Sequence, residues 1–122
     1  MTGTFTKHTL ATGFKNKFSV TVPNMSPGFP YAFYPQVSMK GHQAAHIVVA
    51  GDGDHTAHIM TPTDAKNFKW DLDTIKEESG TVGALAWDDL DQDGWNELWV
   101  PDYDNSRIEV FKFSAKTNEF LQ

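Results

Sequence analysis

The chain has 122 residues, enough for one ordinary domain and too few for two independent cores. Its 39% apolar, 21% charged and 13% aromatic residues exclude a disordered chain, and no run reaches the ~18 apolar residues of a membrane helix. The absence of Cys removes disulfides, thiolate metal sites and Cys nucleophiles, and a net charge of −6 argues against nucleic acid as a partner. The charge is also split. Residues 1–51 hold four Lys and no acid, a charge of +4, whereas residues 52–122 hold 16 acids and six bases, a charge of −10. Such a split is either a chance feature of the surface or a basic end that meets the acidic end of the next copy, since opposite potentials favour docking.

In chain order the signal is β throughout. The first residues, Met1-Thr2-Gly3-Thr4, are polar and lack a signal-peptide core, so the chain either is not secreted or has lost its leader. Residues 5–10 read as a first strand. Residues 23–45 hold Pro23, Pro27, Pro30 and Pro35 beside Phe29, Tyr31, Phe33 and Tyr34. Four prolines argue against a central strand, so this stretch is expected to be a long ordered loop. Its aromatics suit sugar stacking, a protein contact or simple capping of the sheet. Asn24-Met25-Ser26 is a glycosylation sequon if the chain is secreted.

Ile47-Val48-Val49-Ala50 reads as a buried strand, Gly51-Asp52-Gly53-Asp54 as a turn and Ala57-His58-Ile59-Met60 as the return strand. Residues 68–72 read as the first strand of a second unit, and 74–79 is the best helical candidate, too short to stand alone. Leu98-Trp99-Val100, the Asp102/Asp104 turn and Ile108-Glu109-Val110-Phe111 then repeat the earlier hairpin 51 residues on. The expected fold is therefore all-β: two four-stranded antiparallel units, residues 1–62 with the 23–45 insertion and residues 63–122. A four-stranded unit repeated at about 50 residues is the signature of a β-propeller blade. Two blades cannot close a ring, so the pair is part of a longer propeller or of an assembly of copies.

The sharpest chemical feature is Asp89-Leu90-Asp91-Gln92-Asp93-Gly94-Trp95-Asn96-Glu97. Alternating carboxylates in so short a segment repel unless a cation joins them. Calcium takes six to eight oxygens at roughly 2.3–2.6 Å, and magnesium suits less well because it keeps its waters. Asp89, Asp91, Asp93, the Trp95 carbonyl and Glu97 are the candidate ligands, with Gly94 turning the chain back. An EF-hand needs a bidentate Glu at position 12 and flanking helices. Here position 12 is Val100, within a predicted strand, so that reading fails. A solvated acidic turn is the plain alternative.

The segment from Val82 to Val100, with Asp89-Leu90-Asp91-Gln92-Asp93-Gly94 at its centre, resembles an FG-GAP or VCBS repeat of integrin-like β-propellers, and Phe5-Thr6-Lys7-His8-Thr9-Leu10 resembles the first strand of such repeats. The resemblance implies a structural calcium held by Asp89, Asp91, Asp93 and the Trp95 carbonyl. Glu97 stands where the family usually has Asp. The first unit has no acids in its equivalent region, so no calcium is expected there.

Other constellations are weaker. His42, His46, His55 and His58 have spacings that suit zinc or copper, but no acid or Cys completes a pattern. Asp52/Asp54 and Asp102/Asp104 occupy equivalent turns, where they serve the turn itself or, as the alternative, a second cation site or a ligand contact. No phosphate-binding Gly loop or nucleophile elbow is present. The expected role is non-catalytic: extracellular adhesion, ligand binding or self-association through exposed blade faces, without nucleic acid or membrane insertion. The alternatives are a propeller segment of a larger secreted polysaccharide-active enzyme, or a lectin using Phe29, Tyr31, Phe33 and Tyr34.

Overall fold

A computed structural model describes residues 3–14, 26–76, 82–114 and 119–121. These residues contain β-strands and short 3-10 turns and no α-helix, so no helix among them is long and apolar enough to cross a membrane. The strands form two open antiparallel sheets, each a meander of four strands. The first holds β1 (Pro30–Phe33), β2 (His46–Ala50), β3 (Ala57–Asp64) and β4 (Lys69–Lys76). The second holds β5 (Ala86–Asp88), β6 (Glu97–Asp102), β7 (Arg107–Ser114) and β8 (Glu119–Leu121).

The repeat legible in the sequence is real at the level of hairpin register. Ile47 faces Met60 and Val48 faces Ile59 across β2–β3, and Leu98 faces Phe111 and Trp99 faces Val110 across β6–β7. Every partner is shifted by 51 residues. The turns match as well: the 3-10 turns Asp52–Asp54 and Tyr103–Asn105 are followed by left-handed residues, His55 at φ 56° and Ser106 at φ 53°. Asp54 and Asp102 tie these turns with side-chain hydrogen bonds, the usual service of Asp in tight turns. Gly51 is required here, because a Cβ would collide with Asp54 Oδ1 and the Thr56 carbonyl.

Unit boundaries differ from the expectation. Residues 68–72 do not open the second unit, since β4 pairs with β3 and closes the first sheet. A strand is assigned to a sheet by its ladder partner, and a tight β3–β4 turn with Phe68 in the left-handed region makes β3 that partner. Residues 5–10 form no strand, and His8 instead stacks on Phe68 with ring centroids 3.8 Å apart. The proline-rich stretch contains β1, contrary to the expected loop. Pro30 is tolerated because it starts an edge strand, where a missing N–H breaks no ladder. Thr74, Ile75 and Lys76 belong to β4, which removes the helical candidate; residues 77–79, like Asn24 of the sequon, lie outside the described residues.

Alternation decides how the sheets meet. Val48, Ala50, Ala57 and Ile59 from one face of the first sheet pack with Leu98, Val100 and Phe111 of the second in a single core, together with Phe33, Val82 and Leu85. Phe33 lies 6.0 Å from Trp87 and 5.5 Å from Phe120, centroid to centroid, and His46 meets the edge of Phe113. The repeat shift gives this packing a direction. Val48, Ala50, Ala57 and Ile59 correspond to Trp99, Pro101, Ile108 and Val110, which lie on the opposite face of the second sheet from the core. Two equivalent sheets thus stack front to back.

Candidate functional site

The acidic segment connects β5 to β6 and is wound by its own carboxylates. Asp89 accepts the N–H groups of Asp93 (3.0 Å) and Gly94 (2.8 Å). Asp91 also accepts from Asp93, and Asp93 accepts from Trp95 at 2.9 Å. Glu97 Oε2 reaches back across the loop to the Leu90 N–H at 2.8 Å. Gln92 (φ 59°) and Gly94 (φ 93°) supply the left-handed geometry that reverses the chain.

The loop is fastened to the connection between β1 and β2. Val37 N–H donates to the Gly94 carbonyl and Asn96 N–H to the Pro35 carbonyl, both at 2.9 Å, and the Asn96 amide donates to the Tyr34 carbonyl at 2.8 Å. The Trp95 ring stacks on Phe113 at 6.0 Å. Ordering the acidic loop therefore orders the seam between the two sheets.

One oxygen each from Asp89, Asp91 and Glu97 lies within 4.8 Å of the others. Oxygens that share one calcium at about 2.4 Å lie no more than about 5 Å apart, so this spacing suits the ion. Glu97 is 5% exposed, and its Oε1 is buried without a hydrogen bond. A cation already approaches this atom: Lys112 Nζ is 3.3 Å from it, an ion-pair distance without hydrogen-bond geometry. The same ammonium bonds Asp91 Oδ2 at 2.7 Å and Asp93 Oδ2 at 2.5 Å. Bonding to Asp91, then Asp93, raises the pKa of Lys112 above its usual value, and Lys112 in turn is the main cause that lowers Asp93. The donor set fits a hard divalent cation, with Lys112 as the positive charge that such an ion would meet on entry.

The structure therefore gathers Asp89, Asp91 and Glu97 from the predicted set. Asp93 turns to Lys112, and Trp95 takes part through its N–H to Asp93 and its ring. Lys112 was not singled out in the sequence. The available signal was register: it sits directly opposite Glu97 in the β6–β7 ladder, where opposite charges attract.

The aromatic set separates. Phe33 is fully buried in the shared core and cannot contact a ligand, which corrects its place among the contact residues. Tyr31 packs half-buried on that core, 5.5 Å from Trp87. Tyr34 lines a cleft with Ala32, Val37, Lys40, Trp87, Asp88 and Asn96, and Phe29 is exposed.

The histidines also separate. His58 Nε2 is 2.8 Å from Asp54 Oδ2, both buried, and His55 Nδ1 is 3.8 Å from Asp104 Oδ2. His46 is buried with Nδ1 lacking a hydrogen bond, and burial lowers its pKa from the ordinary 6.5. Among the described residues, no three of these histidines converge with acids as a metal group. Asp102 is fully buried and held by Asn105 and by Arg107 Nε at 3.0 Å; burial pushes its pKa up, but these donors outweigh it and the net shift is down.

No family model, curated protein or solved structure matches this chain.

Proposed function

We propose that the chain is a calcium-stabilised repeat protein of the FG-GAP/VCBS kind, built from two propeller-type blades and serving extracellular adhesion, ligand binding or self-assembly without catalysis. The observation that carries this reading is the convergence of Asp89, Asp91 and Glu97 in a loop whose backbone is bonded to the β1–β2 connection of the other sheet. An ion there neutralises clustered charge and tightens the intersheet seam together, which is the work of a structural cation. Extracellular calcium modules bind at roughly 10⁻⁴–10⁻³ M, a range that suits three carboxylates with a competing lysine.

Calorimetric titration of calcium, with thermal melts in calcium and in chelator, tests the reading. Expected are one ion per chain and a melting temperature raised by calcium, with Asp89→Ala abolishing both. Melts that coincide in calcium and chelator, with no binding heat up to 10 mM, would refute it.

A further inference from the structure

The acidic loop already holds a positive charge, and that charge belongs to the protein. Lys112 Nζ bonds Asp91 Oδ2 at 2.7 Å and Asp93 Oδ2 at 2.5 Å, and it stands 3.3 Å from Glu97 Oε1. Sheet register sets this placement, because Lys112 is the ladder partner of Glu97 and its stem starts beside the last acid of the loop. Glu97 supplies a second observation. It is 5% exposed, and its Oε2 accepts the Leu90 N–H, whereas Oε1 is buried without a hydrogen bond. A buried carboxylate oxygen normally has a bonded partner, and here its nearest cation is an ammonium at ion-pair distance only. Asp93 adds a third. Asp89, Asp91 and Glu97 each bring one oxygen within 4.8 Å of the others, and Asp93 is outside that group. Its Oδ1 accepts the Trp95 N–H, and its Oδ2 is held by Lys112.

We infer that Lys112 is a tethered stand-in for the divalent ion: its ammonium keeps the loop and the seam ordered when no ion is bound, and it leaves when an ion binds, releasing Asp93 Oδ2 as a fourth carboxylate ligand. The inference rests on the calcium reading of the loop and adds how that site is regulated. A divalent ion and the Lys112 ammonium compete for Asp91 and for Glu97 Oε1, and two cations on shared oxygens repel. Calcium wins that competition at sufficient concentration, because it carries two charges and takes six to eight oxygens, whereas an ammonium carries one charge and three donors. Exit meets no wall. The Lys112 side chain is already 42% exposed, and it lies on the same strand face as the exposed Val110, where its stem can rest on apolar surface with the ammonium in water. Ordering of the seam then does not depend on the ion, since the loop that bonds the β1–β2 connection keeps a counter-charge in either state. Exchange also exposes a free ammonium at the surface only when the ion is bound, so calcium changes the charge presented beside the loop.

The test acetylates the lysines of the full chain in calcium and in chelator, reads each site by mass spectrometry, and sets calcium titrations and melts of Lys112→Met beside those of wild type. Lys112 should label several-fold faster in calcium, because a paired ammonium reacts slowly, while the exposed Lys66 and Lys69 should not change. Lys112→Met should bind calcium about tenfold more tightly than wild type, since a positive charge has left the site. In chelator it should melt roughly 5 °C below wild type, as its carboxylates then repel without a counter-charge, and calcium should raise its melt more than it raises that of wild type. Adding Asp93→Asn to Lys112→Met should remove about tenfold of the affinity, and no loss would overturn the fourth ligand. Lys112 labelling that stays the same at calcium concentrations where binding heat is seen overturns the inference. So does Lys112→Met with the affinity and the chelator melt of wild type; in both cases the ion still binds and the calcium reading stands. Binding heat absent from wild type and Lys112→Met alike up to about 10 mM overturns the calcium reading and the exchange with it. Should Lys112→Met not fold in chelator, the labelling of wild type decides.

Discussion

Ile59 and Val110 occupy the same place in the two sheets, 51 residues apart, yet Ile59 is 8% exposed and Val110 is 42% exposed. Truncating each to Ala compares one repeat position in two environments. Ile59 lies in the shared core with Val48, Ala57 and the second-sheet residues Leu98 and Phe111. Deleting buried methyl groups of an Ile removes their transfer free energy and leaves a cavity, together about 2–5 kcal/mol. About 3 kcal/mol is reasonable here, because Ile59 also lines a cleft with Phe113 and Phe120 that lets neighbours relax. For a chain of this length, 3 kcal/mol lowers the melting temperature by roughly 10–15 °C. Val110→Ala removes groups that stay largely in water and should cost less than about 1 kcal/mol, or under ~4 °C. Urea unfolding at micromolar concentration, where copies are kept apart, measures both. Equal losses at the two positions would refute the stacking direction, and two separate transitions would refute a single shared core.

Gly51→Ala should destabilise by about 1–3 kcal/mol, since its Cβ collides with Asp54 Oδ1 and the Thr56 carbonyl and loosens the buried Asp54–His58 pair; a melt within 2 °C of wild type would count against this turn geometry. Asn96→Leu removes the amide bond to the Tyr34 carbonyl and should speed hydrogen exchange at the Val37 and Asn96 amides, which cross the seam, more than in β7. Acidification should destabilise the fold in two windows. His46 has a folded pKa lowered by burial, so the unfolded chain takes up its proton first and stability falls as pH drops below about 6.5. Asp102 also has a lowered folded pKa, so its contribution is present above about 3.8 and is lost as pH falls through the folded value. Melting temperatures from pH 8 to 3 check both, and His46→Gln should flatten the upper window.

Several features are legible in the sequence. The apolar strands, the Asp-rich hairpin turns and the 51-residue shift follow from local chemistry, because β-branched and aromatic residues suit a pleated surface and Asp and Gly suit the turns. The acidic segment was legible for the same reason, as an ordered loop of alternating carboxylates closed by a glycine. Residues 5–10 have a composition that suits a strand but form none, because a strand exists only where a neighbour completes its hydrogen bonds. Phe33 was placed with exposed aromatics because a proline-rich context suggests a loop, yet β1 turns that ring into the core.

By itself, the chain's order of residues determined the β character and the cluster of acids, since each depends on neighbours within about ten positions, and the repeat, since the same local pattern recurs 51 residues on. Only the tertiary structure decided that β4 completes the first sheet, that Lys112 lies opposite Glu97 and bonds Asp91 and Asp93, and which apolar face stays open. These depend on long-range register and on stacking direction. Register is set by which strands pair, and direction by which alternate side chains share a core, and neither is written in any single segment.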